Sequence, residues 1–118
     1  MTQSTNSDAV EELIASLLES KDPEWRATTL LQLAESAGSR VWPVIESMIE
    51  SANVEERVAA VVAAEKTLHL KLEDRITREL ASDHALLAGA AAHAIGVFCD
   101  LRDQVMVATL LRGLDGDP

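Results

Sequence analysis

Glu65 and His69 stand four residues apart, the spacing that brings two side chains to one face of a helix, and such a pair can share a metal ion. No His-Glu dipeptide repeats elsewhere, and neither His84 nor His93 extends the pair into a ligand set, so no metal or other cofactor is expected. Carboxylate pairs such as Glu55 and Glu56 are adjacent in sequence and point to different sides of a helix. They read as first-turn charges that favour the helix dipole, and not as an acid and base converging on a substrate. There is no glycine-rich phosphate loop, no nucleophile elbow, no CxxC, and no serine or cysteine with a base placed beside it. Cys99 is the only cysteine and closes an apolar helical stripe, where a buried, inert thiol is expected. The residues dictate no reaction, and the chain is not expected to be an enzyme.

Residues suited to contact are easier to find. Trp42 lies off the centre of the stripe Val41, Val44, Ile45, Met48, Ile49 and beside Glu46. Tryptophan is enriched at binding hot spots, so Trp42 is a candidate anchor; the competing reading is that it folds onto a neighbouring helix and is core. Arg75, Arg78 and Glu79 form a charged cluster, and Met106 is a further candidate on the same expected face. Trp25 is expected to pack on the first helix, His84 to be solvated, and His93 to sit at a helix interface. Gly89 and Gly96 interrupt a run of alanines; glycine costs about 1 kcal/mol against alanine inside a helix, so close approach of another helix, or of a second copy, is the expected reason.

The elements that must position these residues are helical. Of 118 residues 47% are hydrophobic, carried by Ala, Val, Leu and Ile, with aromatics at only 3% and no tyrosine. That is the composition of a folded helical domain and not of a sheet. The net charge is −10, from 20 acids and 10 bases distributed along the whole chain, which repels phosphate backbones and argues against nucleic-acid binding. It suits a soluble surface, or a basic protein partner. One cysteine excludes an intrachain disulfide and fits a reducing compartment. Residues 1–8 lack the character of a secretion signal, and no run reaches about 18 apolar residues, so a cytoplasmic protein without a membrane span is expected.

The apolar spacing predicts seven helices. The first starts at a Ser7 or Asp8 cap, after a disordered segment 1–7, and carries Val10, Leu13, Ile14, Leu17 and Leu18. The second runs over 23–37, capped by Asp22 and stopped at Gly38; the third over 39–51, with Pro43 in its first turn; the fourth over 53–70, capped by Asn53. A shorter fifth covers 72–81, a sixth 84–99 behind Asp83, and a seventh 103–114. Residues 8–118 are expected to form one domain.

The fourth helix has a counterpart in the second and in the sixth. Arg57 follows Arg26 by 31 residues and Ala88 follows Arg57 by 31, with Ala60, Val61 and Ala64 falling on Thr29, Leu30 and Leu33 and then under Ala91, Ala92 and Ile95. A fixed period in this range marks a repeat architecture. The pattern D-P-E-x-R-A over 22–27, its echo over 53–59, and the A-x-x-x-I-G ending over 91–96 resemble HEAT-type repeats, in the short-period subclass that includes the phycobilin lyases. The likeness covers about residues 20–118, with Ala88 replacing the arginine in the third unit; the closing GLDGDP resembles the start of a further unit. The resemblance implies an all-α, right-handed solenoid of about three helical hairpins (near 22–51, 53–81 and 83–114) behind an N-terminal helix. It also implies that Arg26 and Arg57 support acidic side chains of neighbouring units. Its expected role is binding another protein, a basic one by charge, as an adaptor, inhibitor or immunity protein. The face would be that of the third, fifth and seventh helices: Trp42, Glu46, Arg75, Arg78, Glu79 and Met106. Self-association through the sixth helix or the C-terminal end is a further expectation. The alternative is a lyase-like accessory subunit or enzyme fragment that holds a small molecule or pigment in the repeat groove.

Overall fold

Asp22 and Asn53 set the frame. In the computed structural model, which describes residues 2–114 and the side chains of 9–113, each sits in extended backbone. Its side chain accepts a hydrogen bond from an N–H of the first turn, Trp25 at 3.3 Å and Glu56 at 3.0 Å. These N-caps start α2 (Pro23–Ala37) and α4 (Val54–Lys66). The other helices are α1 (Thr2–Glu19), α3 (Trp42–Met48), α5 (Glu73–Arg78) and α6 (Ala85–Leu114), with 3-10 turns at Gly38–Val41, Leu70–Leu72 and Glu79–Ala81. The fold is all-α, with no strand among the described residues.

Among the described residues six α-helices replace the seven expected. α1 begins at Thr2, ahead of the expected cap at Ser7 or Asp8. The third helix cannot be α-helical from Ser39, because the ring of Pro43 would clash with a carbonyl four residues back. The chain makes a 3-10 turn there and α3 starts at Trp42, with Pro43 in its first turn. The fourth helix ends earlier than residue 70. Leu68 adopts φ +55°, Leu68 N–H bonds the Glu65 carbonyl at 3.2 Å and His69 N–H the Ala64 carbonyl at 2.9 Å, which is a Schellman cap with leucine in the glycine position. The expected sixth and seventh helices are one: α6 runs unbroken from Ala85 for 30 residues. Residues 99–103 contain neither Gly nor Pro, and the apolar series Leu87, Ala91, Ala94, Phe98, Leu101, Val105 passes through them at alternating spacings of four and three. Of the closing GLDGDP motif, residues 115–118 lie outside the described residues.

α2 packs on α4 and α4 on α6, while α3 and α5 pack against α4 and α6 from one side and α1 against α2 and α3. Two ion pairs fix the direction of the row. Arg26 meets Glu56 near the starts of α2 and α4, and Glu35 meets Lys66 near their ends, so the two helices run parallel. Glu35 and Lys66 are separated by the same 31 residues as the repeated arginines. The core is built from Leu17, Leu30, Ile45, Met48, Ile49, Val61, Ile76, Leu87 and Phe98, all fully buried, over the alanine-lined α4. A radius of gyration of 16.9 Å exceeds the roughly 13–14 Å of a compact domain of this length, and the extents of 55 × 48 × 16 Å describe a slab.

Gly89 and Gly96 do not mark a close approach. A Cβ placed on either would meet nothing within 4 Å, and both are exposed. Gly38 is different: it caps α2 at φ +58°, where a side chain would be strained.

Candidate interaction surface

Trp42 and Glu46 lie one turn apart on α3 and both reach His69. The Trp42 and His69 rings stack at a centroid distance of 4.1 Å and an interplanar angle of 2°, Trp42 Nε1–H donates to Thr67 Oγ1 at 3.0 Å, and Glu46 Oε2 lies 2.8 Å from His69 Nε2. His69 is 1% exposed, and its Nδ1 is buried without a partner. Its place depends on the Leu68 cap, which turns the chain back under α3. Trp42 therefore has one ring face covered and its N–H satisfied, and it packs on the core. The core reading of Trp42 is the one the geometry favours over a free anchor. The partnership with His69 escaped the sequence because it joins residues 27 apart across a turn that needs positive φ at a leucine. Glu65 does not join His69; it pairs with His93 of α6. Among the described residues no three His, Cys, Asp or Glu side chains gather as metal ligands.

Arg75 and Glu79 form a network with two other elements. Arg75 donates to Glu79, to Glu50 at 3.0 Å and to the Ile49 carbonyl at 2.9 Å, while Arg57 Nε lies 3.8 Å from Glu79. Partial burial opposes the charge on Arg75, but the hydrogen bonds to Glu79 and Glu50 outweigh it and hold the guanidinium above its ordinary pKa. Glu79 is itself buried, so it is a structural acid and not a docking group. Arg26 makes a second buried pair, with Glu56 at 3.0 and 3.2 Å, and its Nε also donates to the Leu17 carbonyl. The position one repeat period after Glu56 is Leu87, which is apolar and buried; Arg57 turns to Glu79 instead, and its Nε makes no hydrogen bond. Arg78 is exposed and forms no ion pair among the described residues.

Met106 stands apart from the other five candidates. It lies on the outer half of α6, residues 101–113, which leaves the body: from Arg102 onward every side chain to Gly113 is exposed. Val105, Met106 and Leu110 are 58%, 61% and 61% exposed, and Val107 and Leu111 are above half. The face that buries Leu87, Ala91, Ala94 and Phe98 continues outward as half-buried Leu101 and exposed Val105. With Leu70 from the 3-10 turn, Leu101, Val105, Met106 and Leu110 line an open groove of about 530 Å3. Arg102 anchors its inner end through Glu73, and that hydrogen bond and its charge hold the guanidinium above its ordinary pKa. Cys99, expected to be buried, is half-buried and accepts a bond from Arg102 at 3.3 Å. A patch of several large apolar side chains on one projecting helix is unusual on a monomer, which makes it the candidate contact surface.

By length and composition Ala85–Gly113 could cross a membrane. Its inner half is packed on α4 and α5, and the 13 free residues reach only about 20 Å against a hydrocarbon core of about 30 Å. Comparison with protein-family models, curated proteins and solved structures gives no match.

Proposed function

We propose that the chain is a non-enzymatic protein-interaction module that docks a partner on the outer half of α6. The observation that carries this is the outer half of α6, where Val105, Met106 and Leu110 are each more than half exposed and, with Leu101 and Leu70, line an apolar groove that no other element among the described residues covers. Parallel α2 and α4, tied by Arg26–Glu56 across 30 residues and Glu35–Lys66 across 31, support a HEAT-like reading. In it the first two hairpins of a solenoid are complete and the third lacks its second helix. The face expected from the third, fifth and seventh helices is replaced in this reading. Trp42, Arg75 and Glu79 serve the fold, and Glu46, Arg78 and Met106 are the members left facing solvent.

Charge adds a preference. Six of the ten basic side chains (Arg26, Arg40, Arg57, Lys66, Arg75 and Arg102) pair with acids of the same chain, so the outward balance is acidic and favours a basic protein and a cytoplasmic adaptor or inhibitor. The test compares proteins captured from native lysate by the wild-type chain and by Met106→Glu, whose fold is checked by circular dichroism. Loss of captured proteins from the folded variant supports docking on α6; identical capture by both removes it.

A groove of about 530 Å3 is also within the size range of small-molecule sites, which keeps a ligand-binding accessory subunit as the second reading. Its lining offers only Arg102 and Thr109 as polar groups to orient a ligand. An absorbing or fluorescent small molecule copurifying with the wild type, and lost in Met106→Glu, would favour it.

A further inference from the structure

We propose that Trp42 and Glu46 form a recognition site for a guanidinium group, which the chain's own His69 occupies and an arginine of a basic partner displaces. The site lies on α3 and does not involve the outer half of α6, so either reading can fail without the other. The geometry of the occupant defines the ligand. The His69 ring lies flat on Trp42, at a centroid distance of 4.1 Å and an interplanar angle of 2°, and its Nε2 lies 2.8 Å from Glu46 Oε2. A carboxylate can only accept, so the ring nitrogen is the donor. A guanidinium meets both demands: it stacks on an aromatic face and forks in-plane N–H groups onto a carboxylate. Attraction of a cation to the indole face adds to that of the acid. An ammonium reaches the acid but has no plane to lay on the ring. The Glu46 side chain is 54% exposed, so the acid edge of the site opens to solvent. The surplus of acids on the chain draws basic groups toward it.

The occupant is held at a cost. Leu68 beside it sits at φ +55°, a region leucine disfavours, and His69 Nδ1 is buried with no hydrogen-bond partner. Leu68 and Leu70 on either side are exposed, so swinging the turn outward uncovers little apolar surface beyond the imidazole itself. Residues 63–70 contain neither Gly nor Pro, so once His69 leaves, nothing local keeps α4 from continuing past Lys66. Thr67, which accepts from Trp42 Nε1–H at 3.0 Å, precedes the strained residue and keeps the indole in place as the turn moves. Strained backbone of this kind collects at ligand clamps and switch segments.

The test is an NMR titration of the full chain with a capped Gly-Arg-Gly peptide at fixed ionic strength, read on the Trp42 indole N–H signal. A capped Gly-Lys-Gly peptide is the comparison. The arginine peptide should bind in the millimolar range and several-fold tighter than the lysine peptide. His69→Ala vacates the site and should lower the dissociation constant about tenfold, whereas Leu68→Gly holds the turn closed and should raise it about fivefold. Glu46→Gln should abolish the gain made by His69→Ala. Glu12→Gln on α1, which removes the same charge from an exposed side chain, should leave it. Circular dichroism checks each fold; if His69→Ala does not fold, Leu68→Gly and Glu46→Gln in the wild-type background decide, since both should weaken binding. Wild type with no shift of the Trp42 signal overturns the proposal. So do equal affinities for the two peptides, an affinity that Leu68→Gly leaves unchanged, or equal effects of Glu46→Gln and Glu12→Gln. Met106→Glu should leave the titration unchanged, and a loss there overturns the assignment to α3.

Discussion

Arg26→Ala should destabilise the fold far more than Glu56→Gln, although both break the same ion pair. The asymmetry arises from burial: the Arg26 side chain is 14% exposed and Glu56 only 3%. Removing Arg26 leaves a carboxylate enclosed with both oxygens unpartnered, since Arg26 Nη1 is the donor to each, and strips the buried Leu17 carbonyl of its bond. Losing one partner of a buried pair costs about 3–5 kcal/mol, and an orphaned carbonyl adds about 1 kcal/mol. Removing the charge from Glu56 instead leaves Arg26 able to reach water, still bonded to Leu17 and to the amide oxygen, for about 1–2 kcal/mol. Against a total stability of about 5–15 kcal/mol, the first loss is a large fraction and the second is not. Urea unfolding followed by circular dichroism at 222 nm, with m-values shared among variants, gives both numbers. Arg26→Met with Glu56→Leu should recover part of the loss of Arg26→Met alone, because no buried charge remains. Equal losses below about 1 kcal/mol for both single variants would refute the reasoning, since that is how a solvated surface pair behaves.

Trp42→Ala should lower stability by about 2–4 kcal/mol, discounted from the loss for a fully buried tryptophan, while leaving capture through α6 unchanged at concentrations where it is folded. A binding loss at unchanged stability would return Trp42 to the role of anchor. Leu68→Gly should stabilise by about 1 kcal/mol, because the side chain is 43% exposed and glycine relieves the left-handed backbone of the Schellman cap; an unchanged or lower melting temperature counts against strain at that site. Gly89→Ala and Gly96→Ala should each raise stability by about 1 kcal/mol, since a Cβ there meets nothing. A folded variant with weaker capture would show instead that this face of α6 is covered.

The parts of the structure that could be read beforehand are those fixed by local chemistry or by a repeated spacing. Asp22 and Asn53 cap because their side chains satisfy first-turn N–H groups, and Gly38 stops α2 because it accepts positive φ; each needs only its neighbours. The resemblance to HEAT-type repeats implied that Arg26 and Arg57 meet acids elsewhere in the chain, but not which acids. Arg57 meets Glu79 because the repeat supplies Leu87 where a glutamate would be needed, a substitution visible only once the helices are side by side. Leu68 could not be foreseen as a cap, since leucine is disfavoured there and is held by the burial of its neighbour His69 between Trp42 and Glu46. The break expected at residues 99–103 is absent: the charges of Asp100, Arg102 and Asp103 are ones a helix tolerates on an exposed side. The better signal was the uninterrupted four-and-three spacing from Leu87 to Val105, which no turn could preserve. That spacing also bears on where a contact surface is to be sought. An apolar stripe records that a helix face is to be covered, and within one chain the natural assumption is that another helix of the chain covers it. Beyond Leu101 no such helix exists among the described residues, so the stripe that specifies the core on the inner half of α6 runs on through Val105 as exposed surface on the outer half.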